Sequence, residues 1–351
     1  MPRLLPALLV AALSTRAVAA QTPAPPRPRP APPAAAIPQD TLFARLTHAL
    51  DSLNAAGRFS GVVTLAKQGA PVYQRSYGMA DVAHHRPITP ETAFNVGSII
   101  KIFTNIAVHQ LVTAGKLNFD STLGAYWPDY PNAEVAKQVT IRELVGMRSG
   151  LGGDVFGAPP GKKPNDIRKL SDFLPLFVNE PLLFPPGTDQ RYCNAGYVVL
   201  GLLIERVTGE SYYDYVREHI YAPAGMTGTG HFAIDSLPPN AAIGYTTSGG
   251  DGPDTLPLHP NSAYLPGRGS SAGGGYSTAG DLVRFVEALR ERKIPDAPPP
   301  GIGIAGGTGG VNAIVEGDLP GGYDLVVLAN LDPPTAERVG RMVRGWLGAR
   351  E

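Results

Sequence analysis

Hydrophobic residues recur at two different spacings near the start of the chain, and these spacings separate a predicted helix from a predicted hairpin. Residues 40–57 (DTLFARLTHALDSLNAAG) carry apolar positions at helical spacing and end at Gly57, which predicts a helix. Residues 59–81 (FSGVVTLAKQGAPVYQRSYGMAD) are rich in β-branched and aromatic side chains and are interrupted by Gln68-Gly69, which predicts a β-hairpin.

The middle of the chain follows the helical spacing, and the end of the chain returns to strands. The predicted helices cover residues 98–115, 139–147, 194–226 (split at Gly209) and 277–292. Residues 237–276 are rich in loop-forming residues. Residues 309–317 and 323–332 predict a strand pair, and residues 334–349 predict a closing helix.

This order of elements predicts an α+β fold. Because strands occur at both ends, we expect an antiparallel sheet built from both chain ends and flanked by the terminal helices, with a mainly helical lobe inserted. The domain would cover residues 40–351, with a sheet lobe of about 40–92 and 295–351 and a helical lobe of about 93–294. Pockets often form between such lobes, so we expect the functional cleft there.

The first 39 residues predict export rather than folded structure. Residues 1–20 contain a basic residue near the N-terminus, then an apolar run and then several small residues. This order is typical of a signal peptide that is cleaved before Gln21. Residues 21–39 are rich in proline and predict an extended linker. No cysteine lies directly after the predicted cleavage site, so we expect a periplasmic or secreted protein without a stable membrane anchor.

Composition narrows the classes of function. Hydrophobic residues make up 43% of the chain and charged residues 17%, which is typical of a globular protein. The formal net charge is +0, which argues against nucleic acid as a partner. Cys193 is the only cysteine, so no internal disulfide is possible and stability must come from the core.

The segment Ser98-Ile99-Ile100-Lys101 is a candidate nucleophile with its base. Residues three apart on a helix share one face, so the lysine amine would reach the serine hydroxyl. A hydroxyl at the start of a helix would also lie near free backbone N–H groups that favour developing negative charge. The alternative interpretation is a capping serine beside a solvated lysine.

A second candidate is Tyr192-Cys193-Asn194, which precedes a predicted helix. A tyrosine near a lysine ammonium would have a lowered pKa and could transfer protons. The alternative is a core tyrosine followed by an asparagine helix cap. A nucleophilic role for Cys193 is disfavoured because no histidine lies near it in sequence, and a small buried residue is the better interpretation.

Together and in this order, the two motifs resemble those of the serine β-lactamase and penicillin-binding-protein superfamily. The most similar branch is the class C β-lactamase-related group, which includes D,D-carboxypeptidases and esterases. The resemblance covers about residues 41–350 and implies a β-lactamase/transpeptidase-like fold. It also rests on the segments 59–81, 139–151 (VTIRELVGMRSGL), 194–229 and 272–285 (AGGGYSTAGDLVRF), which are similar to family elements.

The resemblance implies a role for each motif residue. Ser98 would be the nucleophile that forms an acyl-enzyme, and Lys101 and Tyr192 would exchange its proton and later activate water. Asn194 would orient Lys101 and the substrate. The oxyanion hole would consist of the backbone N–H groups of Ser98 and Gly307.

The third family motif is altered here. Family members usually carry Lys-Thr-Gly or His-x-Gly on the strand that faces the nucleophile, and this register places Ile304, Ala305 and Gly306 at those substrate-binding positions. The same stretch, GIGIAGGTGG (301–310), matches a dinucleotide-binding pattern, but prolines precede it and a strand follows it. Because the usual Lys or His cation and the Thr hydroxyl are absent, we expect the site to bind a substrate carboxylate weakly.

Other motifs fail in their context. Residues 269–273 match G-x-S-x-G, but the surrounding glycines and proline do not predict the strand and helix of a nucleophile elbow, and no histidine follows. His84-His85 has no further ligand at metal-binding spacing, so a solvated pair is the better interpretation. We expect neither a metal nor an organic cofactor.

The sequence therefore predicts an exported serine hydrolase that acts on an ester, amide or peptide. Its partner would be a small-molecule, peptide or peptidoglycan-like substrate. Three alternatives stay open. The protein would be a D,D-carboxypeptidase or β-lactamase if carboxylates are still recognised, an acyl transferase if another nucleophile competes with water, or a non-catalytic binding protein on the same fold.

Overall fold

The computed structural model describes residues 37–248, 256–297 and 302–349, all within one unit that spans Ala35–Glu351. The predicted signal peptide and most of the proline-rich segment lie outside the described residues.

The predicted helices and strands are present, together with several 3-10 turns and one π-helical turn, Arg217–Tyr221. The helices are α1 Gln39–Ala55, α2 Ile100–Thr113, α3 Leu123–Tyr126, α4 Ala133–Gln138, α5 Ile141–Val145, α6 Asn194–Thr208, α7 Tyr212–Val216, α8 Ala279–Arg290 and α9 Thr335–Leu347. The strands are β1 Gly61–Lys67, β2 Ala70–Tyr77, β3 Met79–Asp81, β4 Arg86–Pro87, β5 Phe94–Asn95, β6 Tyr245–Thr246, β7 His259–Pro260, β8 Tyr276–Ser277, β9 Gly303–Thr308, β10 Val311–Leu319 and β11 Tyr323–Ala329.

The main sheet joins the two ends of the chain. Its strand order is β2-β1-β11-β10-β9, and every neighbouring pair is antiparallel. Val63 at the centre of β1 lies opposite Val327 of β11 and Arg75 of β2. The predicted α+β architecture, with a sheet from both termini, is confirmed. Strand β9 lies at one edge of this sheet.

One face of the sheet is covered by the two terminal helices. Leu42, Leu46 and Leu50 recur every four residues along α1, so they form a single apolar stripe that is fully buried. Val63 and Leu65 of β1 point into the same cluster. Burying each such side chain contributes about 1.5–3 kcal/mol, which fixes the terminal helices on the sheet.

The other face of the sheet packs against α8 and the helical region. Val62 and Ala66, which alternate with Val63 along β1, belong to this second cluster. Phe103 of α2 and Phe285 of α8 meet edge to face there, with ring centroids 4.8 Å apart. Helix α2 is thereby packed in the core against α8, which covers this face of the sheet.

The edge strand β9 lies against the turn that precedes α2, and glycines make this approach possible. A Cβ on Gly306 would lie 2.1 Å from the Val96 carbonyl oxygen and 2.7 Å from the Ser98 nitrogen. By contrast, a Cβ on Gly303 of the same strand would have no atom within 4 Å. The packing of backbone on backbone at Gly306 therefore fixes the position of Ser98 relative to β9.

We predict that Gly306→Ala destabilises the fold, whereas Gly303→Ala does not. The added methyl group at position 306 would push β9 away from the turn, at a cost of about 1–3 kcal/mol. Thermal melting and urea denaturation of both variants measure the difference. Equal stability of the two variants would contradict the close approach described here.

Candidate active site

The predicted nucleophile lies in a single 3-10 turn, Gly97–Ile99, that leads directly into α2. Gly97 adopts a φ of +52°, a region that glycine favours, and its N–H donates to Asn95 Oδ1 at 2.9 Å. The Ser98 side chain is half-buried and lines a cavity. The structure thus places Ser98 just before the α-helix rather than within its first turn.

Lys101 lies one turn further on, with its Nζ 3.1 Å from Ser98 Oγ, as the spacing predicts. It is only 5% exposed, and its amine also donates to the backbone carbonyl of Ala272. Burial lowers the pKa of Lys101 to about 7, and the nearby Cys193 opposes this effect. Near neutral pH a large fraction of this amine is therefore uncharged and able to accept a proton.

Tyr192 reaches Ser98 from the loop before α6. Its hydroxyl donates to Ser98 Oγ at 2.5 Å, and the Lys101 Nζ lies 4.8 Å from the centre of its ring. The expectation of a lowered pKa is wrong, because desolvation raises the pKa of Tyr192 and the hydrogen bond to Ser98 opposes this only in part. Tyr192 is therefore neutral at pH 7, although 57% of its surface is exposed.

Asn194 occupies the first position of α6 and lines the cavity, but it does not hold Lys101 as expected. Among the hydrogen bonds of the described residues, Lys101 donates to Ser98 and Ala272 and none joins it to Asn194. The helix cap is Cys193, whose Sγ accepts from the Gly196 N–H at 3.3 Å. Burial raises the pKa of the Cys193 thiol, which disfavours the thiolate.

The hydrogen-bond pattern of β9 directs the Gly307 N–H away from the sheet. The Gly317 N–H donates to the Ile302 carbonyl at 2.7 Å, and Gly307 lies opposite Asn312 in the same register. Because bonded and non-bonded pairs alternate in an antiparallel ladder, Gly307 presents its N–H to the open edge. A Cβ on Gly97 would lie 2.8 Å from this nitrogen, so the second predicted oxyanion donor lies beside the nucleophile turn.

The predicted third-motif residues divide between the two faces of β9. Ile304 and Gly306 share the face toward the nucleophile turn, where Ile304 contacts the core. Ala305 lies on the other face and is exposed. The cavity is lined by the next residues, Gly307 to Gly309, and not by residues 304–306. A substrate-binding role for those three residues stays a prediction.

The segment 269–273, rejected above as a nucleophile elbow, has a different role that the sequence did not reveal. Thr104 Oγ1 donates to the Ser271 carbonyl at 2.7 Å, and Ser271 Oγ donates to the Tyr197 carbonyl at 2.8 Å. Ser271 is fully buried, so it is not an accessible nucleophile. These bonds fix the loop whose Ala272 carbonyl holds Lys101.

A cavity of about 610 Å³ opens beside Ser98. Much of its wall comes from two loops, within residues 152–170 and 246–275. The first loop contributes Asp154, Val155, Phe156, Gly157 and Pro164, and the second contributes Thr246 (at the start of that loop), Ser248, Tyr264, Leu265, Pro266, Gly269, Ser270, Ala272, Gly273 and Gly274.

The remaining candidate features stay separate from this site. His84 is exposed and its Nδ1 lies 2.8 Å from the carboxylate of Asp81. Within residues 37–248, 256–297 and 302–349, no group of three or more potential metal ligands is close enough to hold an ion. In the same ranges, no helix combines the length and the apolar character that crossing a membrane requires.

The fold and this serine–lysine–tyrosine cluster are typical of β-lactamase/transpeptidase-like proteins. The family model described as Beta-lactamase matches residues 46–327, and the chain belongs to that family. Membership of the expected superfamily is confirmed. The expectation that the chain belongs to a family of enzymes is confirmed as well.

Individual relatives span several activities. The chain is 31% identical over 236 residues to the putative penicillin-binding protein PbpX of Bacillus subtilis (strain 168), a match that covers 67% of this chain and 56% of that protein. It thus spans only about half the length of this curated relative. A penicillin-binding protein from Bacillus halodurans superimposes with a TM-score of 0.73 at 29% identity, covering 84% of this chain and 98% of that one. D-amino acid amidase from Ochrobactrum anthropi SV3, complexed with D-phenylalanine, gives a TM-score of 0.72 at 24% identity, covering 88% and 98%.

We predict that the amine of Lys101 titrates near pH 7. Reductive methylation with ¹³C-formaldehyde introduces an NMR signal for each lysine, and Lys101→Arg identifies the signal of interest by its loss. The expected midpoint is about 7, because burial penalises the ammonium form. A midpoint above about 9, close to that of an ordinary lysine, would show that the site is more hydrated than its burial indicates.

Proposed function

We propose that the protein hydrolyses an ester, amide or peptide bond through an acyl-enzyme on Ser98. The observation that carries this proposal is the contact of two proton-transferring groups with one hydroxyl. Lys101 Nζ lies 3.1 Å and the Tyr192 hydroxyl 2.5 Å from Ser98 Oγ. A serine becomes a nucleophile when such an adjacent base accepts its proton.

Acylation would begin with the neutral amine of Lys101. As Ser98 Oγ attacks the substrate carbonyl, its proton moves to Lys101, whose pKa of about 7 suits a base at neutral pH. The Ser98 and Gly307 N–H groups would stabilise the oxyanion, and one such donor contributes about 3–4 kcal/mol. Tyr192, being neutral, donates its proton to the leaving group and is reprotonated by Lys101.

Deacylation would use the same groups in reverse order. Water approaches from the exposed side of Tyr192 and loses a proton to the Tyr192–Lys101 pair as it attacks the acyl carbon. Collapse of the second tetrahedral intermediate returns a proton to Ser98 Oγ and releases the acid. An acyl transferase would differ only in the nucleophile that enters at this stage.

The environment of the site favours substrates without a carboxylate. Ile304 takes the position of the usual cation, and among the described cavity-lining residues none is Lys, Arg or His. This disfavours a D,D-carboxypeptidase or a dedicated β-lactamase, although two of the relatives are called penicillin-binding proteins. A purely binding role is disfavoured too, because it does not need a buried lysine beside a serine.

We also propose that the protein acts outside the cytoplasm. The support for this is the sequence of residues 1–20, which is typical of a signal peptide.

We predict that a fluorophosphonate labels the protein on Ser98. Incubation of residues 21–351 with a fluorophosphonate, and separately with a fluorescent penicillin, followed by peptide mass mapping, should give a phosphonyl adduct on Ser98 and weak or no penicillin label. Ser98→Ala is the matched control. Absence of both adducts would support the binding protein, and an adduct on Ser270 or Ser271 would indicate a different nucleophile.

We predict that Ile304→Lys restores recognition of a substrate carboxylate. The measured quantity is the ratio of kcat/KM for nitrocefin, which carries a carboxylate, to kcat/KM for a neutral p-nitrophenyl ester. A new charge-assisted hydrogen bond should raise this ratio about tenfold or more. Ile304→Met, which keeps an apolar side chain, should leave it unchanged. Efficient nitrocefin turnover by the unmodified protein would exclude this explanation.

A further inference from the structure

The cavity beside Ser98 is lined mainly by apolar residues, and these residues differ in how far they are exposed to solvent. Its apolar side chains include Val155, Phe173, Phe232, Ile234, Tyr264 and Leu265. Phe173 is 1% exposed and closes the wall, whereas Tyr264 is 40% exposed and lies toward solvent. The volume of about 610 Å³ exceeds what a short acyl group fills.

The charge of the cavity lining also indicates which kind of substrate group the cavity can bind. Among its described lining residues, Asp154 alone carries a formal charge, and its Oδ1 already accepts from the backbone N–H groups of Val155 and Phe156 at 2.6 and 3.0 Å. An anionic group placed here would meet a carboxylate and no cation. An uncharged apolar group would exchange water for contact with aromatic and aliphatic side chains.

The positions of the catalytic groups decide which half of the substrate enters the cavity. In the tetrahedral intermediate on Ser98, the leaving group must lie close to the proton donor Tyr192. Neither Tyr192 nor Lys101 lines the cavity, and Tyr192 is largely exposed. The leaving group would therefore lie toward solvent, and the acyl chain would be directed to the opposite side of Ser98, into the cavity.

We propose that this cavity is an acyl-binding subsite for bulky, uncharged, apolar acyl groups, such as arylalkyl or branched acyl chains. This inference rests on the acyl-enzyme function proposed above and adds its substrate class. The protein discriminates between substrates by their acyl group and distinguishes only weakly between leaving groups.

Phe232 is the residue that should set this selectivity. It lies two residues after Gly230, where a Cβ would lie 2.9 Å from the Phe232 ring, so the glycine leaves room for the ring in its present position. The ring lies 6.4 Å from that of Tyr276, and both residues line the cavity. Phe232 thus offers an aromatic surface to the acyl chain.

The test compares p-nitrophenyl esters that share one leaving group. The 3-phenylpropionate should exceed the acetate in kcat/KM by about tenfold or more, since each buried methylene is worth a several-fold gain. The butyrate should exceed the hemisuccinate, in which a carboxylate replaces the terminal methyl group, by a similar factor. Two phenols of matched acidity but different size, on the same acyl group, should differ less than threefold. Preference for acetate or hemisuccinate would overturn the proposal.

Phe232→Ala should lower the ratio of phenylpropionate to acetate about fivefold or more. The matched control is Phe43→Ala, a partly buried phenylalanine that packs on Tyr73 on the far face of the sheet and should leave the ratio unchanged. Equal effects of the two variants would show that Phe232 acts through general stability rather than through the acyl group.

A binding measurement separates this inference from the proposed function. Calorimetry with Ser98→Ala and the neutral amide 3-phenylpropanamide needs no turnover, and Phe232→Ala in that background should weaken binding about fivefold or more. If Ser98 takes up no fluorophosphonate but the amide binds in this way, the hydrolase function fails and the apolar subsite stands. If Ser98 is labelled but neither binding nor kcat/KM depends on the acyl chain, the subsite fails and the hydrolase stands.

Discussion

The close packing of strand β9 on the turn before α2 is the constraint on which the site depends. At Gly97 and Gly306, backbone meets backbone with no room for a side chain. The contact brings together the N–H groups of Ser98 and Gly307, and both are directed by backbone geometry alone. The proposed oxyanion site would therefore be a consequence of sheet register, and a change of side chain at Ile304 would leave it in place.

The second condition for chemistry is the burial of Lys101, which has a different origin. Its amine is held by a backbone carbonyl, that of Ala272, and a carbonyl stabilises an ammonium less than a carboxylate would. Burial can therefore lower its pKa to about 7. The bond from Thr104 to Ser271 fixes that carbonyl, so core packing and acid–base chemistry are linked through one loop.

The sequence predicts the structural features that depend on residues close to one another along the chain. The leucines of α1, the hairpin of β1 and β2, and the pairing of Ser98 with Lys101 within one turn all follow from local spacing. The contact of Lys101 with Ala272 joins residues 171 positions apart, so no local pattern could reveal it. The raised pKa of Tyr192 was missed for a similar reason, because spacing indicates a neighbouring cation but not the desolvation that outweighs it.

The absence of the usual third-motif cation and the apolar character of the cavity would both shift substrate recognition from a carboxylate to an apolar group. A hydrogen bond to a charged group contributes about 1.5–3 kcal/mol. Burying an apolar group the size of a phenylalanine side chain contributes about as much. The proposed acyl pocket would therefore offset the binding energy that Ile304 cannot supply. Because both terms act away from the reacting bond, the substrate class can change while Ser98, Lys101 and Tyr192 keep their geometry.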